Sequence, residues 1–259
     1  MKKERNAAIT AAKKAGKIAM EKFEKLQDIR TKSSIYDYVT EADLLAEKEI
    51  LNILRKKFPE HSILAEESGS YKGSNEFTWL VDPLDGTNNY SVGLPFFCVS
   101  IALSLEKEPV LGVVFDPLRN DLFVAEKGKG ATRNGKKISV SGRSKLHEFV
   151  CVLPLRSGLK KQESWRIKQE RFARVYRTVR SVRMFGASEL ELAYIASGKF
   201  DAFINYNINP WDAAAGAVLV REAGGKATNG RGKEWRIGEK VFIASNGNAH
   251  NELEKVLSL

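Results

Sequence analysis

Cysteine is nearly absent from this 259-residue chain, which contains only Cys98 and Cys151. Each lies in an apolar run without metal-type spacing, so buried free thiols are a better reading than a disulfide or a zinc site. Histidine is almost as scarce. His61, His147 and His250 are scattered, and none belongs to a His-Glu-x-x-His pattern, which argues against histidine-centred chemistry. Long apolar runs are missing too, so no membrane span is expected. The basic start, Met1-Lys2-Lys3-Glu4-Arg5, leads into an Ala-rich segment with lysines at 13, 14 and 17, not into the apolar core of a signal peptide. A cytoplasmic location is expected. No linker, internal repeat or low-complexity segment is evident.

What is present suits a globular chain. A hydrophobic content of 43% and a charged content of 29% are typical of one, and the length allows one large domain or two closely packed halves. Net charge is +10. Much of it lies between Arg156 and Arg183, where ten basic residues face two acidic ones, and Lys168, Arg171, Arg174, Arg177, Arg180 and Arg183 recur every third position. A solvated helix face running into an exposed strand explains this better than a nucleic-acid site, because the segment has no recognisable motif with interleaved aromatics.

Apolar periodicity predicts helices over residues 4–26 and from about 40 to 58, the second closed by Pro59. Short strands at 62–65 and 77–81 each end at acidic residues. Runs at 97–105, 110–116, 121–126 and 137–140 predict an antiparallel sheet. Gly130 to Lys137 nearly spells a phosphate-binding loop, but Lys137 stands where Ser or Thr is needed, and Asn134-Gly135 is a hairpin signal. After about residue 146 the pattern alternates: strands at 150–153, 179–185, 202–206 and 241–244, with helices at 163–176, 188–197, 212–223 and 250–257. A division into 1–145 and 146–259 follows from this change.

The densest chemistry lies in Trp79-Leu80-Val81-Asp82-Pro83-Leu84-Asp85-Gly86-Thr87-Asn88-Asn89-Tyr90. Trp79 to Val81 read as a buried strand that Pro83 stops, so Asp82 and Asp85 project from a rigid turn. Gly86 allows close approach of a ligand, and a helix starting at Thr87 aims its first amides at an anion. Two carboxylates and a run of amides at one turn suit metal-bound phosphate. An Asp-Pro-x-Asp-Gly on its own is as readily an ordinary turn.

This segment resembles the signature of the inositol monophosphatase family of Mg2+-dependent, lithium-sensitive phosphatases. Three further segments carry the resemblance in the same order: Val39-Thr40-Glu41-Ala42-Asp43, Ala65-Glu66-Glu67-Ser68-Gly69, and Pro210-Trp211-Asp212-Ala213-Ala214-Ala215-Gly216. The resemblance implies an α/β fold layered α-β-α-β-α, with the active site between the two halves. It also implies an oxygen-only metal set: one ion on Glu66, Asp82 and the Leu84 carbonyl, and a second on Asp82, Asp85 and Asp212, with a weaker third near Glu66. Such hard ligands favour Mg2+, with Mn2+ as the alternative. Asp43, Glu66 and Thr87 take the catalytic roles, Thr87 holding the attacking water and Asp43 orienting the Thr87 hydroxyl. Substrate contacts fall on Glu66, Leu84, Asp85, Gly86, Thr87 and Asp212, and, on the alcohol side, on Gly186, Ala187, Ser188 and Asn205. A glutamate is usual where this chain has Asn205, so strict inositol specificity is in doubt. Glu67 is read as a neighbouring carboxylate, Trp211 as a core residue beside Asp212, and Lys32 as a loop lysine.

The function the resemblance implies is hydrolysis of myo-inositol monophosphate and related sugar or polyol phosphates by a homodimeric enzyme. Fructose-1,6-bisphosphatase activity on the same site is the alternative, with Arg183 or its basic neighbours receiving the second phosphate. A regulatory role binding RNA or an acidic protein through residues 156–183 is the reading from a different class.

Overall fold

The computed structural model describes residues 1–23, 29–31, 38–154 and 162–257. Lys32 and the start of the basic segment, including Arg156, lie outside the described residues. The elements run α1 (Lys2–Phe23), β1 (Ile29–Thr31), β2 (Tyr38–Thr40), α2 (Glu41–Lys57), β3 (Ser62–Ala65), β4 (Gly69–Tyr71), β5 (Phe77–Asp85), α3 (Thr87–Ser91), β6 (Cys98–Leu105), β7 (Glu108–Asp116), β8 (Asp121–Glu126), β9 (Ala131–Arg133) and β10 (Lys136–Lys137). The second half follows as β11 (Val150–Val152), α4 (Gln162–Thr178), β12 (Ser181–Arg183), α5 (Ser188–Ala196), β13 (Ala202–Asn205), α6 (Ala214–Glu222), β14 (Lys226–Thr228), β15 (Phe242–Ser245) and α7 (His250–Leu257).

Two sheets organise the chain: an eight-stranded one ordered β10-β9-β8-β7-β6-β5-β3-β4, and a five-stranded one ordered β12-β11-β13-β15-β14. Side-chain alternation along each strand separates three cores. Val81, Ile101 and Val113 face α1 and α2 on one side of the large sheet. Leu80, Ala102 and Val114 face the opposite way, onto α5 and α6, which in turn cover Val152, Phe203 and Phe242 of the small sheet. On that sheet's far side, Cys151, Ile204 and Ile243 meet Val175 of α4 and Leu253 of α7. The order of layers is therefore α-β-α-β-α, as the resemblance implied.

The runs at 97–105, 110–116 and 121–126 pair antiparallel, as expected, and the same sheet holds one parallel pair, β3 with β5; α2 carries the chain into β3, while the short β4 leads back to β5. Other expectations need correction. The run at 137–140 pairs only at its start, where Lys137 stands opposite Thr132 and the Ile138 amide donates to the Ala131 carbonyl at 3.0 Å, and the chain then leaves the sheet. Both turn residues, Asn134 and Gly135, have positive φ, 50° and 77°, as a primed hairpin turn requires. The helix expected over 212–223 is interrupted: a 3-10 turn spans Pro210–Asp212, and α6 starts only after Ala213. Trp211 is half-buried, not a core residue.

Candidate active site

Register brings the acidic residues together. Ala65 pairs with Val81 across β3 and β5, so the chain leaves β3 at Glu66 beside Asp82. Along β5, Asp82 opposes Ser100 and Asp85 opposes Cys98, so three steps on β5 match two on β6. In a regular strand, residues three apart point to opposite faces. The extra residue at Pro83-Leu84 is a bulge that cancels one alternation and turns Asp82 and Asp85 to the same side. The 3-10 turn carrying Asp212 packs against β5 and β6.

Asp82 and Asp85 are buried, and Asp212 half-buried, where these elements meet. Burial raises the carboxyls of Asp82 and Asp212 well above the usual range, and the neighbouring Glu66 and Asp85 raise them further. Burial likewise pushes Asp85 up to about 6, against the pull of the backbone amides it accepts. Holding buried carboxylates together costs several kcal/mol for each ion. Flanking rows such as Leu80, Val81, Ile101 and Leu103 offset that, each large side chain contributing about 1.5–3 kcal/mol on burial. Hard anionic oxygens clustered in this way fit a divalent metal.

The carboxylates are also tied to the backbone. Asp82 Oδ1 accepts from the Leu84 amide at 3.0 Å, and Asp212 Oδ2 accepts from Asn209 Nδ2 at 3.1 Å. Asp85 accepts from the amides of Ser188, Glu189 and Leu190 at the start of α5, at 3.0, 2.7 and 3.3 Å. The Cys98 thiol donates to Asp85 Oδ2 at 3.5 Å. Turned to these donors, the acidic side chains do not close into a finished cage: among the described residues no three His, Cys, Asp or Glu side chains enclose an ion as placed. An open groove of about 850 Å3 lined by Arg143, His147, Glu148 and Arg180 lies elsewhere and includes none of these carboxylates.

Asp43 and Thr87 are joined directly. Thr40 opens α2, and its amide and hydroxyl both donate to Asp43 Oδ2, at 2.8 and 2.6 Å. That leaves Oδ1 to accept from Thr87 Oγ1 at 3.0 Å. The same hydroxyl lies 2.9 Å from the Leu84 carbonyl. Burial raises the Asp43 carboxyl, while the two bonds from Thr40 pull it back. Gly86 has φ of +96° at the start of α3, and a Cβ there would sit 2.9 Å from the Phe96 carbonyl oxygen. The turn therefore requires glycine for both backbone shape and space.

Residues 1–258 match the inositol monophosphatase family. The chain belongs to that family. Inositol monophosphatase 3 of Solanum lycopersicum is 39% identical over 264 residues, covering 98% of this chain and 96% of the relative. The Thermotoga maritima protein named fructose-1,6-bisphosphatase/inositol-1-monophosphatase is 38% identical over 251 residues, covering 97% and 94%. The crystal structure of the extragenic suppressor protein SuhB from Bartonella henselae matches with a TM-score of 0.90 at 37% identity, over 98% of this chain and 97% of that one. As a member of this family, the chain is a phosphatase, and its fold is the family's layered fold.

The remaining expected contacts fall into place unevenly. Gly186, Ala187 and Ser188 lead into α5, and the Ser188 amide is already given to Asp85. Asn205 is buried at the end of β13, and its Oδ1 accepts from the Asn207 amide at 2.9 Å. Among the basic residues, Arg166, Arg174, Arg177, Arg180 and Arg183 are exposed. Arg171 departs from the expected solvated row. Its guanidinium lies over the Tyr206 ring, 4.6 Å from the centroid.

Three buried carboxylates escaped the reading of the sequence. Glu47, one helical turn after Asp43, accepts from the amides of Glu67 and Ser68 at 2.8 and 2.9 Å and so holds the turn that carries Glu66. Its spacing from Asp43 was a usable signal. Glu191 accepts from the amides of Phe185 and Gly186, and burial pushes it up to about 8. Glu189 has no signal in the sequence, because its partners lie on another helix.

Proposed function

We propose that this phosphatase hydrolyses inositol monophosphate and related polyol or sugar phosphates, with Mg2+ held by Glu66, Asp82, Asp85, Asp212 and the Leu84 carbonyl. The observation that carries this reading is the meeting of the four-carboxylate cluster with the Asp43 to Thr87 hydrogen bond at one glycine-led turn. When bound, the ions would supply the positive charge that offsets the phosphoryl oxygens and makes a water acidic enough to attack. The protein's own groups do the positioning. Thr87 Oγ1 gives its proton to Asp43, so its lone pairs accept from the attacking water and aim it. The amides of Gly86 and Thr87 orient the phosphoryl oxygens, and the segment Gly186 to Ser188, with Asn205, receives the alcohol.

Measuring phosphate release with Mg2+ from inositol 1-phosphate, fructose 1,6-bisphosphate and adenosine 3′,5′-bisphosphate in parallel tests the proposal. Preference for inositol 1-phosphate is the expected result, and the name of the Thermotoga relative makes the bisphosphate the natural second reading. No release from any ester would overturn it. Lithium inhibition and assembly as a homodimer belong to the same proposal, checked by adding lithium to the assay and by sedimentation equilibrium. Asn205→Ala should change the ratio between substrates more than the rate with a generic phosphate ester.

A further inference from the structure

Glu189 is wholly buried in the layer between the sheets, and none of the roles assigned above uses its side chain. Its two ends are both occupied. The backbone N–H donates to Asp85 Oδ2 at 2.7 Å. The carboxylate accepts from the amides of Ala215 and Gly216, at 3.1 and 2.6 Å, in the first turn of α6. That turn directly follows the 3-10 turn ending at Asp212. One residue thus spans from Asp85, fixed on the large sheet, to the helix that begins two residues after Asp212.

The fit is close on the α6 side. A Cβ at Gly216 would lie 2.8 Å from Glu189 Oε2 and 2.4 Å from Leu192 Cβ, so α6 approaches α5 at a separation that only glycine permits there. The first amides of a helix lack intrahelical partners and carry its positive dipole end. A buried carboxylate bonded to two of them clamps the helix start in position. The arrangement repeats one step away, where Asp85 accepts from the first amides of α5.

We propose that Glu189 is a positioning residue for the metal site, setting the separation of Asp85 and Asp212 by coupling the starts of α5 and α6. It touches no substrate and no reacting atom. The inference rests on the metal-dependent reading above, and its test uses Mn2+ binding, not turnover. Removing the carboxylate frees the start of α6 to shift, and metal sites lose affinity when such supporting contacts go.

The experiment is a Mn2+ titration of the full chain followed by electron paramagnetic resonance, with thermal unfolding measured on the same samples. Glu189→Ala is expected to weaken binding by about tenfold or more. Glu189→Gln, which keeps the volume and one acceptor, should fall between it and the parent. Leu253→Ala, in the distant core beneath α7, controls for lost stability alone and should bind Mn2+ as the parent does. If Glu189→Ala does not fold, Glu189→Gln decides. A folded Glu189 variant with the parent's binding isotherm, or an equal loss in Leu253→Ala, would overturn the inference. Absence of Mn2+ binding by the parent chain would instead overturn the metal reading beneath it.

Discussion

The Thr87 hydroxyl donates to Asp43 Oδ1 at 3.0 Å across 44 positions of sequence, and Thr40 secures the other oxygen of the same carboxylate. A hydroxyl with its proton committed can only accept from a third group. Thr87→Ala and Asp43→Asn should therefore each lower kcat by about 10²–10⁴-fold, with little change in KM. Because the two act as one unit, the double variant should be scarcely worse than the weaker single variant. Steady-state kinetics on the four proteins checks this, and simple multiplication of the two losses would contradict it.

Asp85 has two tasks, since it accepts the opening amides of α5 and faces the other carboxylates. Asp85→Asn keeps an oxygen for the helix but removes the charge. Mg2+ at a hundredfold excess over its dissociation constant should stabilise the parent chain by about 2.7 kcal/mol. The variant should show a much smaller rise in Tm and a collapse of turnover. A thermal shift equal to the parent's would remove Asp85 from the ligand set.

Gly86→Ala forces a side chain into positive φ and against the Phe96 carbonyl. The strain is about 1–3 kcal/mol, and relief by rotation would turn the amides of the loop away from the phosphate. Lower kcat/KM together with a lower Tm is expected. Unchanged kinetics would show that these amides do not contact substrate.

Stability should depend on pH through His250, at the start of α7. Its Nδ1 pairs with Ser245 Oγ at 2.7 Å and its Nε2 with Thr228 Oγ1 at 2.9 Å, while Glu254 and Lys226 supply the nearby charges. Burial lowers its pKa from the ordinary value of 6.5. The unfolded chain therefore binds a proton at a higher pH than the folded one. This contribution is complete above about 6.5 and is lost as pH falls toward the folded-state value. His250→Gln should flatten the fall in Tm between about pH 7 and pH 5. His61, also lowered by burial, adds to the same slope, while the raised carboxyls of Asp85 and Glu191 oppose it.

Much of the site was legible because its chemistry is local. Asp82, Asp85, Gly86 and Thr87 sit within one turn, so spacing and residue type pointed to them, while Asp43, in the opening turn of the helix that Thr40 begins, was picked out by the family resemblance. Individual helices and strands were legible because each advertises its buried face by its own period, whereas the order of the layers came from the family resemblance. The break between Asp212 and α6 was not legible, because Ala213 to Gly216 read as uninterrupted helix. The orientation of Arg171 was hidden too, since its neighbour Tyr206 belongs to a different element.

By itself, the sequence determined the individual elements and the acidic segments that bear the chemistry, and through the order of those segments the family and its layered fold, because these are written in local residue patterns. Only the tertiary structure decided that a bulge turns Asp82 and Asp85 to one side, that Glu47 holds the turn at Glu66, and that Glu189 joins α5 to α6. Each of those depends on pairing register or on a buried carboxylate meeting amides of a distant segment. Such amides carry no side-chain identity, so the sequence does not say which segment supplies them.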